Sequence, residues 1–221
     1  IWLSVVIAFV FAIAIGAANG FLVVRTRLPS FIVTLAGLFV LRGLTLALTR
    51  TITGRTQIPY ITEGQEGSFF VQIFGGKFGA GFFQWLADIG MIAKRADGLP
   101  MVQGLSMSIL WWCLVTALAT WVLLKSRYGN WIFAVGGDAL AARNVGVPVD
   151  RVKIALFIST ACAATLFATI QVLESGSADT LRGFQKEFQA IIAAVIGGCL
   201  LTGGYGSAVG AMFGALIFGT V

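Results

Sequence analysis

Long apolar stretches separated by short charged ones set the pattern of this chain. A helix that crosses a bilayer needs about 20 predominantly apolar residues. Residues 2–24, 31–48, 105–124 and 154–173 meet or approach that length. The second stretch is entered through Pro29, a residue favoured at a helix start. Residues 188–201 are shorter and predict a partial or re-entrant helix. Residues 208–221 form the last apolar segment. The pattern predicts an all-α, polytopic transmembrane helical bundle, with about six spanning or partly spanning helices in one transmembrane domain over residues 1–221. The chain opens at Ile1, already inside an apolar run, and closes inside another, so it is expected to be an internal part of a longer protein.

Orientation follows from Lys and Arg in short loops, which gather on the cytoplasmic side. Arg25 and Arg27 lie between the first two stretches. Lys125, Arg127, Arg151 and Lys153 flank residues 126–153. Both loops are therefore placed in the cytoplasm, and residues 49–103 in the extracytoplasmic space. Within that outer segment, residues 69–92 are rich in Phe and Gly but interrupted by Lys77 and glycines. They predict one or two short interfacial helices anchored by Trp85, with a seventh span as the competing reading. Glycine clusters at Gly16 and Gly20 and again from Gly197 to Gly219. Small residues four apart allow helices to approach closely. The two clusters also hint at related halves, as in transporters built from inverted repeats.

Composition agrees with a membrane class. The chain is 58% hydrophobic and 11% charged, against roughly 25% charge in soluble domains. The net charge of +6 is a matter of loop placement and not a nucleic-acid signal, because no basic run interleaved with aromatics occurs. Cys113, Cys162 and Cys199 lie far apart in apolar segments and have no metal or disulfide spacing. Histidine is absent, which removes the commonest general base and metal ligand. No phosphate-cradling G-x-x-x-x-G-K-[ST] loop occurs, so any ATP chemistry must belong to another chain. The spans offer no paired acid and base, which argues against an intramembrane enzyme.

A few polar residues could face a translocated solute. Arg42 lies about 17 Å along its helix from Phe31, at 1.5 Å per residue. It either snorkels outward or caps a neighbouring helix, or it lines a polar path. Asn19 sits among small residues, as interhelical glue or as a ligand contact. Gln171, Glu174, Gln185, Glu187 and Gln189, with Phe184, surround the outer end of the fourth stretch and the start of the short one at Phe188. Amides, carboxylates and aromatic faces suit a hydroxylated ligand; a solvated, capped loop explains the same residues.

Residues 126–153 are longer than a turn requires. Asp138 follows Gly136 and Gly137 and is a favoured N-cap. A short helix over residues 139–144 is predicted, stopped at Gly146. Asp150 is expected to cap the fourth span. The element is either a well-capped loop or a lever moved by a cytoplasmic partner.

Three stretches carry a family resemblance. RYGNWIFAVGGDALAARNVGVPVDRVKI strongly resembles the cytoplasmic coupling segment of permease subunits in bacterial ABC sugar importers of the ribose, xylose and arabinose group, within the branched-chain-amino-acid-like permease superfamily. NGFLVVRTRLPSFIVTLAGLFVLRGL and FQAIIAAVIGGCLLTGGYGSAVGAMFGALIFG are similar to two further stretches of that family, in the same order. The resemblance implies a permease of about ten spans in the bacterial inner membrane. It implies a second permease copy or sister subunit, two separate ATPase subunits that bind ATP and Mg, and a periplasmic sugar-binding protein. No cofactor is expected in this chain. The coupling motif falls on Gly136, Gly137, Asp138, Ala141, Ala142, Gly146 and Asp150, with Arg143 inside the same stretch. The implied function is import of a monosaccharide. Branched-chain amino acids or another small solute are the alternatives in the same class, and an ATPase-independent secondary transporter is the alternative outside it.

Overall fold

The computed structural model describes residues 2–62, 68–89 and 104–220. Glu63, Glu66, Lys94, Arg95 and Asp97 of the predicted outer segment lie outside the described residues. Four helices are long and apolar enough to cross a membrane: α1 (Trp2–Thr26), α2 (Ser30–Thr53), α5 (Met107–Lys125) and α8 (Val149–Ser175). Six shorter helices complete the described set: α3 (Phe69–Gly75), α4 (Ala80–Asp88), α6 (Arg127–Gly137), α7 (Ala139–Asn144), α9 (Lys186–Ile196) and α10 (Ala208–Thr220). Strands are confined to two-residue pieces: β1 (Gln57–Ile58), β2 (Lys77–Phe78), β3 (Leu105–Ser106) and β4 (Ala178–Asp179). The polytopic helical bundle expected from the apolar pattern is the observed architecture.

The chain divides into two compact units. The first holds residues 1–56, 115–166 and 179–221. Here α1 meets α8 through Gly16 and Gly20. A Cβ on Gly16 would stand 2.8 Å from Ile158 Cα, and one on Gly20 would stand 2.9 Å from Ile154 Cα. Any larger residue would push the helices apart, which is the physical content of small residues four apart. On the α2 side, a Cβ on Gly37 would come within 3.1 Å of Asn19 Oδ1, so this amide faces α2. Helices α9 and α10 pack by the same rule: a Cβ on Gly197 would overlap Gly210 O, and one on Gly214 would overlap Ala193 O.

Three helices differ most from expectation. Helix α8 starts at Val149 and ends at Ser175, five residues before and two after the expected stretch 154–173. Helix α2 runs to Thr53, into the segment assigned to the outer loop at residue 49. Thr51 and Thr53 hydroxyls donate to the carbonyls of Ala47 and Thr49, so polar residues sit in this helix without breaking it. Gly54 ends it, in the left-handed region at φ 69°, with its N–H on Arg50 O. Helix α9 covers residues 186–196 rather than 188–201, because Gly197 and the positive φ of Gly198 turn the chain there. Its 11 residues reach about 16 Å, half a bilayer core.

The second unit holds residues 57–114 and 167–178. Lys77 pairs with Ser106 and Phe78 with Leu105 in an antiparallel register. Trp111 anchors α3: its indole N–H donates to Ile73 O at 3.0 Å and its ring stacks on Phe74 at 4.9 Å. Gly75 lies on the Leu173 backbone, where a Cβ would come within 2.7 Å of the carbonyl carbon. Ser106 Oγ donates to Glu174 Oε1 at 2.7 Å. The described part of residues 69–92 is two short helices, of seven and nine residues, with Lys77 in a strand between them. Neither is long enough to span, so no seventh span is formed among the described residues of this stretch. Trp85 is largely exposed and stacks near Phe82.

Candidate functional site

A cluster of buried hydrophobic side chains joins the element between α5 and α8 to the first turns of α8. Val135, Ala142, Val149 and Val152 are buried, with Val152 only 1% exposed, and Tyr128, Ile132, Ala139, Val147 and Leu156 pack around them. Three helices, α6, α7 and the first turns of α8, contribute to it.

The local causes are readable residue by residue. Ser126 Oγ accepts from Gly129 N at 3.0 Å and starts α6. Gly129 permits the corner, since a Cβ there would overlap Leu123 O. Tyr128, Ile132 and Val135 follow at four- and three-residue steps and share one face, which α6 buries. This helix was missed in the sequence reading, although the Ser126 cap and the apolar spacing were its signals. Asp138 then turns the chain in an extended conformation, and its Oδ1 accepts from Leu140 N and Ala141 N at 2.8 and 3.1 Å. The predicted cap and the predicted helix over 139–144 are both as observed. Gly146, at φ 86°, supports the predicted stop. Asp150 is a correction. It does not cap α8, because that helix already begins at Val149 and Val152 N bonds to Pro148 O. It sits in the first turn, where a carboxylate favours the helix dipole, and it accepts from Arg143 at 2.6 Å. Burial pushes the Tyr128 phenol above its ordinary pKa, and its hydroxyl donates to Val152 O at 3.3 Å.

The candidate coupling residues sort into three roles. Ala142 is core. Gly136 and Gly137 touch the turn after α9: a Cβ on Gly136 would stand 2.6 Å from Gly204 N, and one on Gly204 would stand 3.0 Å from Gly137 Cα. Asp138, Ala141, Arg143, Gly146 and Asp150 are exposed. Beside them stand Leu140 and Val145, 75% and 79% exposed. Sequence reasoning missed these two residues: Leu140 lies in α7 and Val145 caps its end, and only the fold shows that the core uses neither.

The candidate solute residues are less gathered. Arg42 and Phe184 do meet, with the guanidinium 4.3 Å from the ring centroid. That distance is a cation–π contact, which holds the Arg42 charge against α9's leading segment. Glu187 is in the first turn of α9, where its charge suits the dipole. Gln189 accepts from Lys186 Nζ at 2.8 Å. Asn19 faces Gly37. Gln171 belongs to the second unit, and its carbonyl accepts from Ser175 Oγ. Among the described residues no group of His, Cys, Asp and Glu could hold a metal.

Comparison with known proteins places this arrangement. The chain is 33% identical to the ribose import permease protein RbsC of Escherichia coli K12, over 98% of this chain and 58% of that protein. It is 28% identical to the xylose transport system permease protein XylH of the same organism, over 99% of this chain and 63% of that protein. It is 26% identical to the inner membrane ABC transporter permease protein YjfF, over 99% of this chain and 59% of that protein. The chain thus spans about three-fifths of the length of these curated relatives. No solved structure matches it. Residues 1–221 match, throughout, the family described as the branched-chain amino acid transport system / permease component. With its membrane-length helices and its folded element between α5 and α8, the chain belongs to that permease family.

Proposed function

We propose that this chain is part of the permease subunit of an ATP-driven ABC importer in a bacterial inner membrane, translocating a monosaccharide. The chain would act as a transport subunit and not as an enzyme: separate ATPase subunits bind ATP and Mg, and a periplasmic binding protein delivers the sugar. A second permease copy or sister subunit completes the path.

The observation that carries this reading is the element of α6, α7 and the start of α8. It has its own core and an exposed face of Asp138, Leu140, Ala141, Arg143 and Val145. Exposed apolar side chains beside a polar rim suit a protein partner. Close-packed cores shift as units rather than deform smoothly. A push on α7 therefore reaches α8 directly, because Val149 and Val152 belong to both the core and that helix. Gly136 and Gly137, against Gly203 and Gly204, offer a second route toward α9 and α10. Within the first unit, Arg42 over Phe184 is the candidate solute-facing group; Asn19, Glu187 and Gln189 are separate candidates there, and Gln171 is one in the second unit. The named relatives that import ribose and xylose favour a sugar.

Co-purification of the full-length protein with its ATPase tests the docking face. Leu140→Glu is expected to abolish co-purification while the protein still folds. Solute uptake by vesicles that lack any ATPase would refute the importer reading in favour of a secondary transporter. The family description favours one second reading, a branched-chain amino acid as solute. Competition of labelled ribose or xylose uptake by leucine separates the two.

A further inference from the structure

A cavity of about 420 Å³ lies where α1 ends, α2 begins and α8 begins. Its wall is apolar: Val23 from α1, Leu28 and Pro29 from the connector, and Leu156 and Phe157 from α8. Lys153, Ser30 and Thr160 supply its polar atoms. Thr160 spends its hydroxyl proton on Leu156 O and so faces the cavity as an acceptor. No carboxylate lines the space. The nearest acid along the chain, Asp150, is held by Arg143 on the neighbouring element. Arg25 and Arg27 stand on the segment between two of the wall residues, and Arg151 lies two residues before Lys153.

The cavity therefore combines a cation, a hydroxyl donor and an apolar wall at the end of three membrane-length helices. A water-soluble anion would leave the apolar wall without a partner. A zwitterionic lipid would bring, beside its phosphate, a second cation that the basic residues here disfavour. A phospholipid with net negative charge matches both: its phosphate suits Lys153 and Ser30, and its upper acyl chain suits Val23 and Phe157. Basic pockets between spanning helices at the membrane surface are recognised by this chemistry. We propose that this cavity is a binding site for one anionic phospholipid, with Lys153 as the headgroup contact. The occupant would brace the α1–α2 connector against the first turns of α8, the helix that carries Val149 and Val152 of the surface core. Its presence is independent of the solute that the protein moves.

The test uses the full-length protein in vesicles of phosphatidylcholine with a rising fraction of phosphatidylglycerol. Lipid retained after detergent extraction is counted by native mass spectrometry. The expected result is preferential retention of phosphatidylglycerol, lowered about fivefold by Lys153→Gln and unchanged by Arg127→Gln, a basic residue outside the cavity. Thr160→Leu, which fills the space while keeping the cation, should lower it as well. Equal retention of the two lipids overturns the proposal, as does retention that Lys153→Gln leaves unchanged. Protection of the cavity by a neighbouring helix, seen as cross-linking between Phe157→Cys and a second copy in place of lipid retention, would also overturn it.

Discussion

Two regions of the first unit hold together by opposite means. The surface element of α6, α7 and the start of α8 is held by side chains: Val135, Ala142, Val149 and Val152 fill a small core, while Arg127, Asn130, Asp138, Arg143, Asn144, Asp150 and Arg151 are exposed around it. The α9–α10 hairpin is held by their absence. Gly197, Gly210 and Gly214 let two backbones touch, with the large side chains Ile191, Ile192, Leu216 and Ile217 turned outward. The reason is the solvent. At a water-facing surface, burying apolar side chains drives folding. Within lipid, apolar side chains gain little by leaving the tails, so close backbone packing takes over. A well-defined core inside a membrane protein thus marks a part that water surrounds.

The comparison predicts opposite responses to side-chain size. The largest effect is expected from Gly214→Leu, which drives a side chain into the Ala193 carbonyl. The hairpin should open, and folded, extractable protein should be lost; an unchanged yield and melting temperature would break the contrast. The same class of change in the other direction, Val152→Ala, should cost the surface element about 2 kcal/mol. It should lower the thermal midpoint without loss of membrane insertion and, on the importer function proposed above, lower transport. Asp138→Ala removes the α7 cap and should cost about 1 kcal/mol, read as faster hydrogen exchange at residues 139–144 only. Separating Arg143 from Asp150 should matter least among the substitutions, because both are half exposed. A double-mutant cycle is expected to return less than about 1 kcal/mol.

A pH series sharpens the same contrast. Burial raises the Tyr128 pKa, so the folded protein holds that proton more tightly than the unfolded chain. Its contribution is complete below the ordinary tyrosine range and is lost as pH rises through about 10 and above. Tyr128→Phe should flatten that alkaline limb, while the glycine hairpin variants should not alter its shape.

Much of the fold was visible in the pattern of apolar runs. The four long helices follow from stretches of membrane length, and Asp138 with Gly146 bounded α7 correctly because capping is a local matter of one side chain and one backbone angle. The ends of α2 and α9 were misplaced for the same local reason. Polarity was taken as the stop, whereas Gly54 and Gly197–Gly198 stop the chain, and threonines inside α2 bond their own helix. Helix α6 is harder to see because its three glycines and Asn130 hide a sound apolar face.

What the residues dictate without any partner in space is therefore the class of the protein, the existence of its four long helices, the bounds of α7, and the lack of a phosphate loop. These rest on neighbours along the chain: runs of apolar side chains, caps, and glycines that admit positive φ. Tertiary structure alone decided the rest. It made Ala142 core and left Leu140 and Val145 on the surface. It set Gly136 against Gly204, laid Arg42 over Phe184, and tied Asp150 to Arg143. Each of these pairings joins groups on different elements, and which of many apolar or charged candidates meet is chosen by close packing of the whole, not by spacing along the chain.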